Sequence, residues 1–541
     1  MSDELKPRPS RKRKTRLLTP KKLSVPSLSM PDDPVDDSSA HPMADHGITA
    51  HLQRMQEQIG ANADVRTREF YLRDTDIRAA LVYLDGLTDL DFLNENVMKP
   101  LMLNFSPAVH ALETENRPDV MDLVKDRYLT VNGVKRVATS TEVVTHVFRG
   151  NTALFIDGVA EALVIEAKQK KARNIEEPLT EALVRGPRLG FNENLQDNLA
   201  ILRQLVGNPD LKILPYQVGR RTKKELAIVY FEGIANDELV QEVQNRIARI
   251  DIDDVPETGY IELLIQDNYL TPFPQLQNTE RPDRLIAALM EGRVGILLDG
   301  TPFTLIAPVT FAMFLQSPED YYQRWIPGSL IRLLRYFSAF VSLYLPSIYI
   351  SFVSFHQGLI PTTLAISIAA TREGVPFPSI IESLIMEIAI EILREAGLRL
   401  PRPVGQTVGL VGGLVIGEAA VQAGIVSPIM VMVVSLTAIS SFAIPEYAGG
   451  ISLRLLRFGA MVCAAVLGLF GVIFFFLIIL IHLVKLKSFG VPYIAPAAPI
   501  RWSDWKDFLI RLPQGISDKR PQMLFPKDQV RMRQTSPTKR K

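Results

Sequence analysis

The chain has 541 residues, with 60 Lys and Arg against 59 Asp and Glu for a net charge of +1. That length exceeds one ordinary core, so more than one domain is expected, and the charge balance excludes a protein that coats nucleic acid, whose footprint is strongly basic. A single cysteine, Cys463, excludes an internal disulfide framework and a cysteine-built zinc site, and the seven histidines show no H-E-x-x-H pattern. In chain order, residues 1–61 are rich in Pro, Ser and charge and read as a disordered basic tail. The basic stretch Lys6 to Lys22 is not followed by an apolar run, so no signal peptide is expected and the soluble half is expected to stay in the cytoplasm.

The next 260 or so residues carry a duplicated pattern. Val82-Tyr-Leu-Asp-Gly-Leu87 is echoed by Val229-Tyr-Phe-Glu-Gly-Ile234, each a β-type run ending in an acidic-Gly turn. Leu154-Phe-Ile-Asp-Gly158 followed by Ala162-Leu-Val-Ile165 is echoed by Ile296-Leu-Leu-Asp-Gly300 followed by Thr304-Leu-Ile306. Asp-Gly between two apolar runs signals a hairpin. We expect two related α/β subdomains, 62–175 and 215–320, joined by a linker at 176–214 that holds Arg185-Gly-Pro-Arg188. Arg185 and Arg188 fit a solvated linker better than a phosphate site. Asp157 and Asp299 need no catalytic role, because a turn between paired strands accounts for them.

Residues 321–487 have the composition of a helical membrane domain. Tyr336 to Thr371 holds no charge besides His356, Pro403 to Pro445 holds only Glu418, and Phe458 to Ile481 is an uncharged run of 24. As a helix that last run is about 36 Å long, enough to cross a bilayer. Four crossings are expected, at 333–355, 405–424, 427–446 and 458–482, with 359–371 and 378–397 re-entrant or interfacial; reading those two as spans gives five or six. Ile381, Leu384, Ile385, Ile388 and Ile392 make one apolar face of 378–397, away from Glu387, Glu391, Arg394 and Glu395. Arg324, Arg332 and Arg335 before the first span, Lys485 and Lys487 after the last, and the basic tail 488–541 place both ends in the cytoplasm by the positive-inside rule.

Gly409, Gly412, Gly413 and Gly417 lack the Lys-Ser/Thr and the preceding strand of a phosphate loop; Gly413-x-x-x-Gly417 is instead a helix-packing pattern. Glu418 is the one formal charge in its 43-residue apolar stretch and is expected to face a bundle interior, a partner or water. Helical spacing sets Thr407, Val411, Leu414 and Glu418 on one face, with Gln422 one step on. Apolar rings beside an acidic ring have the pattern of a gated pore lining; the competing reading pairs Glu418 with Arg454 or Arg457. No triad, metal cluster or paired-carboxylate constellation is visible, so an enzyme, a cofactor and a metal are not expected.

The chain closely resembles the A subunit of the GerA family of spore germination receptors. The motifs that carry the likeness run from Glu177-Pro-Leu-Thr-Glu-Ala-Leu-Val-Arg-Gly-Pro-Arg188 through Thr271-Pro-Phe-Pro-Gln275, Thr279-Glu-Arg-Pro-Asp283, Asp299-Gly-Thr-Pro-Phe303 and Gln316-Ser-Pro-Glu-Asp-Tyr-Tyr322. They continue with Val375-Pro-Phe-Pro378, Leu393-Arg-Glu-Ala-Gly-Leu-Arg-Leu-Pro401, Gly405-Gln-Thr-Val-Gly-Leu-Val-Gly-Gly413 and Ser488-Phe-Gly-Val-Pro-Tyr493. The resemblance implies an α/β cytoplasmic region followed by an all-α polytopic domain in the spore inner membrane. It implies partnership with a transporter-like, nutrient-sensing B subunit and a C-subunit lipoprotein. It also implies self-association, as a pentamer, into a nutrient-gated ion channel in contact with membrane lipid and with no nucleic acid. A non-conducting scaffold or transporter-like subunit is the alternative.

Overall fold

The computed structural model describes residues 47–60, 62–105, 120–169, 177–178, 180–401, 412–413, 415–513, 515 and 518–532. Two five-stranded sheets form the first part. With strands β1 (Val65–Tyr71), β2 (Arg78–Leu84), β3 (Val134–Val137), β4 (Thr152–Ile156) and β5 (Ala162–Ile165), the first has the order β1-β2-β4-β5-β3. The second, from β6 (Leu211–Val218), β7 (Lys224–Phe231), β8 (Gln277–Thr279), β9 (Val294–Leu298) and β10 (Thr304–Ala307), has the order β6-β7-β9-β10-β8. The two orders are one order shifted by five strands, with every neighbouring pair antiparallel. The duplication read from the sequence is therefore a duplicated fold, and the Asp157-Gly158 and Asp299-Gly300 turns join β4 to β5 and β9 to β10.

Both faces of each sheet are covered, which is why the central strands read as unbroken apolar runs. In the first repeat, helices α1 (Ile48–Ile59) and α2 (Ser140–Phe148) bury Met55, Val143 and Phe148 on Val82, Phe155 and Val164. Alternate residues Leu81, Leu154 and Leu163 point to the other face, where short helical turns at 90–103 and 120–128 cover them. In the second repeat α3 (Leu195–Val206) and α6 (Pro282–Glu291) take the first face, and α4 (Asp237–Ala248) and α5 (Thr258–Ile265) the second. Two expectations change here. Helix α1 lies inside the segment expected to be disordered, and the 176–214 linker contains α3 and the start of β6. Asn194 caps α3, its side chain accepting from the Asp197 amide, and Gly207 ends it at φ 58°. These signals are local, and the helix is held by burying Leu195 and Leu202.

Among the described residues, six helical passes make the second part, one of them described continuously only from residue 415. Helix α7 (Trp325–Ser354) starts beside the sheets, where Arg335 meets Asp320 at 2.7 Å, and runs to a far end. Helix α8 (Thr362–Arg372) follows there. Helix α9 (Ser379–Arg399) begins at that far end, with Ser379 Oγ 2.7 Å from Ser354 Oγ, and returns. Residues 415–422 are helical and lead outward again, Gly417 facing Val431 and Gly424 lying beside the Gly374 carbonyl. Helix α10 (Pro428–Phe442) comes back, from Ser427 beside Glu382 to Ser441 beside Arg394.

Helix α11 (Tyr447–Lys485) supplies the last two passes, because it is not one straight rod. Gly468 has φ 61° and ψ −139°, and the chain doubles back on itself there. A Cβ on Gly459 would sit 2.9 Å from the Phe475 ring, and one on Gly471 would collide with the Cys463 carbonyl. Ser452 bonds the Pro272 carbonyl while His482 lies 2.8 Å from Thr271, so two residues about 45 Å apart on a straight helix meet adjacent residues. The expected single span 458–482 is thus a hairpin folded at its middle. The basic tail 488–541 packs back as far as residue 532: Ser488 bonds the Gln275 carbonyl, and Arg511 bonds that of Gln323. Among the described residues, α7 and α11 are long and apolar enough to cross a membrane.

Candidate functional site

The motif segments read from the sequence meet where the second repeat joins the helices. Tyr493 donates to the Pro274 carbonyl at 2.7 Å, Ser488 to the Gln275 carbonyl at 2.7 Å, and the Val309 amide to Ser488 Oγ at 3.1 Å. Phe273 stacks at 6.1 Å on His482. Behind them lies a buried charge cluster. Arg284, on α6, sits 3.1 Å from Glu181 and 3.3 Å from Glu446, which precedes α11, and Gln277 donates to the same Glu446 oxygen. Burial, together with Glu446 and Glu257, pushes the Glu262 carboxyl up to about 7. A second knot holds the base of α7: Arg332 meets Asp320 and Asp507, and Tyr321 donates to Asp507 at 2.6 Å. Burial and Asp507 hold the Tyr321 hydroxyl well above its usual range.

The bundle interior is ion-paired along α9. Glu382 takes Arg372 at 2.7 Å and the Ser427 amide at 3.0 Å. One turn on, Glu387 takes Arg457, which also donates to the Ser342 carbonyl at 2.6 Å. Glu391 takes Arg454 at 3.2 Å and Arg394 at 3.0 Å. Helix α9 is thus built inside-out relative to an interfacial helix: Glu382, Ser383 and Glu387 are buried, while Ile381, Ile385, Ile388 and Ile392 are exposed. In a medium as apolar as the side chains, burial gains come from pairing polar groups, and the greasy face turns outward. The sequence reading missed this ladder. The available signal was Glu387 and Glu391, one turn apart on one helix, against Arg454 and Arg457 on another.

Those pairings overturn the alternative for Glu418, since both arginines are taken by α9. Glu418 is exposed, accepts from Gln422 Nε2 at 3.0 Å on its own helix, and pairs with no cation among the described residues. Gly417 is buried, and a Cβ on it would lie 3.6 Å from Val431; a Cβ on Gly412 would meet Leu393 at 2.9 Å; and Gly413 has open space around it. Within one chain, a side chain at Gly412 would have to displace Leu393, whereas one at Gly417 would find ordinary contact and one at Gly413 none. Thr407, Gly409, Val411 and Leu414 lie outside the described residues. No group of His, Cys, Asp and Glu able to hold a metal occurs among the described residues.

A paired-sheet globular part joined to a charged helical bundle, with two helices long and apolar enough to cross a membrane, has the make-up of a membrane protein. The chain belongs to the GerA family of spore germination receptor A subunits: the family described as Bacillus/Clostridium GerA spore germination protein matches residues 53–523. That range takes in the first repeat, which the sequence motifs starting at Glu177 did not reach. The chain is 43% identical to spore germination protein GerLA of Bacillus cereus over 88% of this chain and 95% of that one. It is 45% identical to spore germination protein B1 of Bacillus subtilis, over 90% and 99%. Among solved structures it is similar to the N-terminal domain of the A subunit of the Bacillus megaterium spore germinant receptor GerK3, at 30% identity, covering 50% of this chain and 97% of that one with a TM-score of 0.40.

Proposed function

We propose that this A subunit self-associates, as a pentamer, into a nutrient-gated ion channel of the spore inner membrane, together with a nutrient-binding B subunit and a lipoprotein C subunit. The six passes are its membrane crossings; their even number leaves both sheets and the C-terminal tail on one side, the cytoplasm. It carries no cofactor and catalyses no reaction. The segment 405–424 lines the pore, with Thr407 at one end, Val411 and Leu414 as an apolar constriction that closes by dewetting, and Glu418 with Gln422 as a polar ring.

One observation carries the reading. Glu418 lies inside the apolar stretch with no described cation to neutralise it, on a helix whose outer face its own chain leaves uncovered. A bare carboxylate at membrane depth is costly unless it meets water, so symmetry-related copies around an aqueous path relieve it. Ion flux from vesicles holding the purified protein tests this. Flux is expected with its partners and nutrient present, with reduced cation preference for Glu418→Gln. Absent flux from assembled complexes would leave a scaffold.

A further inference from the structure

The second repeat exposes an apolar stripe that its partner sheet does not use. Helix α5 buries Ile261 and Ile265 against the second sheet, while Tyr260, Leu263 and Leu264 point away and are exposed. The loop that follows presents Tyr269 and Leu270, which are 81% and 78% exposed and therefore the least covered large apolar pair in this repeat. Two such residues side by side on a soluble surface are unfavourable, and a partner is expected.

The tethers of this segment say what lies beside it. Asp267 accepts from the Phe489 amide at 2.6 Å, Thr271 lies 2.8 Å from His482, and Gln275 accepts from Ser488. All three contacts fall at the end of α11, where its outward apolar run, through Phe474, Ile478 and Ile481, gives way to His482, Lys485 and Lys487. The boundary of the hydrocarbon layer therefore falls within about a turn of His482. Tyr269 is two residues from Thr271, a reach of about 7 Å at most. The interfacial layer on each side of a bilayer is about 5–7 Å deep.

We infer that α5 and the loop after it are a membrane-interface foot: Tyr260, Leu263, Leu264, Tyr269 and Leu270 seat in the headgroup and upper acyl layer of the bilayer that α11 crosses. Tyrosine favours that layer because its ring is apolar and its hydroxyl wet. The opposite face of α5 carries Glu262, which faces Glu446 and Tyr493 in the junction. The foot thereby ties the depth of the second repeat in the interface to the start of α11. It rests on the membrane reading of the helices.

The test uses the full chain in phospholipid vesicles, with Cys463→Ala removing the one native thiol. A polarity-sensitive fluorophore is placed at Tyr269→Cys, with Leu263→Cys as a second site should the first variant fold poorly. Phe474→Cys serves as the control in the span, and Tyr71→Cys as the control on the first sheet. Lipids with a spin label at the headgroup or upper chain are expected to quench position 269 at least twofold more than position 71, with a blue-shifted emission. Quenching at 474 with water-like emission at 269 overturns the foot. So does emission shielded from water at 269 without lipid quenching, which assigns the patch to a neighbouring protein. Absence of quenching at 474 overturns the membrane reading, and the foot with it.

Discussion

The two sheet repeats share strand order, turn chemistry and helix placement, yet only the second is built into the bundle. In the first, the position matching Arg284 is Glu142, an exposed group paired with Lys135 on its own surface. In the second, Arg284 is largely enclosed between two acids, one of them at the start of α11. The first repeat is held to the second through α3, whose Arg203 meets Asp64 at 2.7 Å and Asn62 at 3.0 Å and lies over the Phe148 ring, and whose Ala200 packs in the first repeat's core. On one shared frame, the matched position carries a surface acid in the first repeat and a cation tied to the start of α11 in the second.

The comparison breaks most completely if the second repeat loses what it is attached to. Gly471→Leu places a Cβ against the Cys463 carbonyl, a backbone atom that no rotamer change can move. The hairpin then cannot close, and full-length protein is expected to fall sharply in membranes, whereas the first-repeat control Gly47→Ala, where φ is −88° and the space is open, leaves it near normal. Gly413→Leu serves as a second control. Open space surrounds it within the chain, so it should leave the level unchanged and impair only self-association. Normal levels and monodisperse Gly471→Leu protein would refute the fold-back.

Next in size is the matched pair at the equivalent position. Arg284→Ala leaves Glu181 and Glu446 facing each other in a buried site, a loss of about 3–5 kcal/mol. Glu142→Ala removes a surface pair and costs roughly 0–1 kcal/mol. Thermal unfolding of both variants in detergent measures the difference, and equal shifts would mean that the junction does not depend on the cluster.

A third, smaller effect depends on pH. The Glu262 carboxyl is held at about 7, above its ordinary value of 4.5, so the folded chain binds a proton more tightly than the unfolded one. Its contribution is complete below about pH 4.5, falls as pH rises and is lost by about pH 7. Glu262→Gln keeps the protonated form's shape, so thermal stability between pH 5 and 8 is expected to slope less steeply than in the parent chain. An unchanged slope would place the titration elsewhere.

The repeats were legible because their turns are local: Asp-Gly at 157–158 and 299–300 fixes a hairpin within a few residues. Helix α3 was hidden although Asn194 and Gly207 mark its ends, since a short helix between two subdomains reads as linker until its apolar face meets a sheet. The fold at Gly468 left no periodic trace. The 24-residue apolar run is apolar on all sides, and one glycine among several in it carries the turn. The ladder on α9 was half visible. Its charges were on the page, but which arginine meets which acid is a tertiary fact, and Glu418 was offered the two arginines that α9 holds.

The smallest effect is the sharpest test that the repeats are equal where they look equal. Asp157 Oδ1 accepts from the Ile48 amide at 2.9 Å, at the start of α1, and Asp299 Oδ1 accepts from the Leu195 amide at 3.1 Å, at the start of α3. Each turn aspartate closes a hairpin and caps the first helix of its own repeat, satisfying an amide that the helix leaves orphaned. A cap of this kind contributes about 1 kcal/mol, and its carboxylate also complements the helix dipole. Asp157→Ala and Asp299→Ala should therefore destabilise by similar amounts, each on the order of 1 kcal/mol, while Asn substitutions, which keep an acceptor, recover most of it. Chemical unfolding of the chain, followed by probes in each repeat, gives both values. A large loss for Asp299→Ala with none for Asp157→Ala would mean that the shared hydrogen bond is incidental in the first repeat, and that the second has taken over the stability of both.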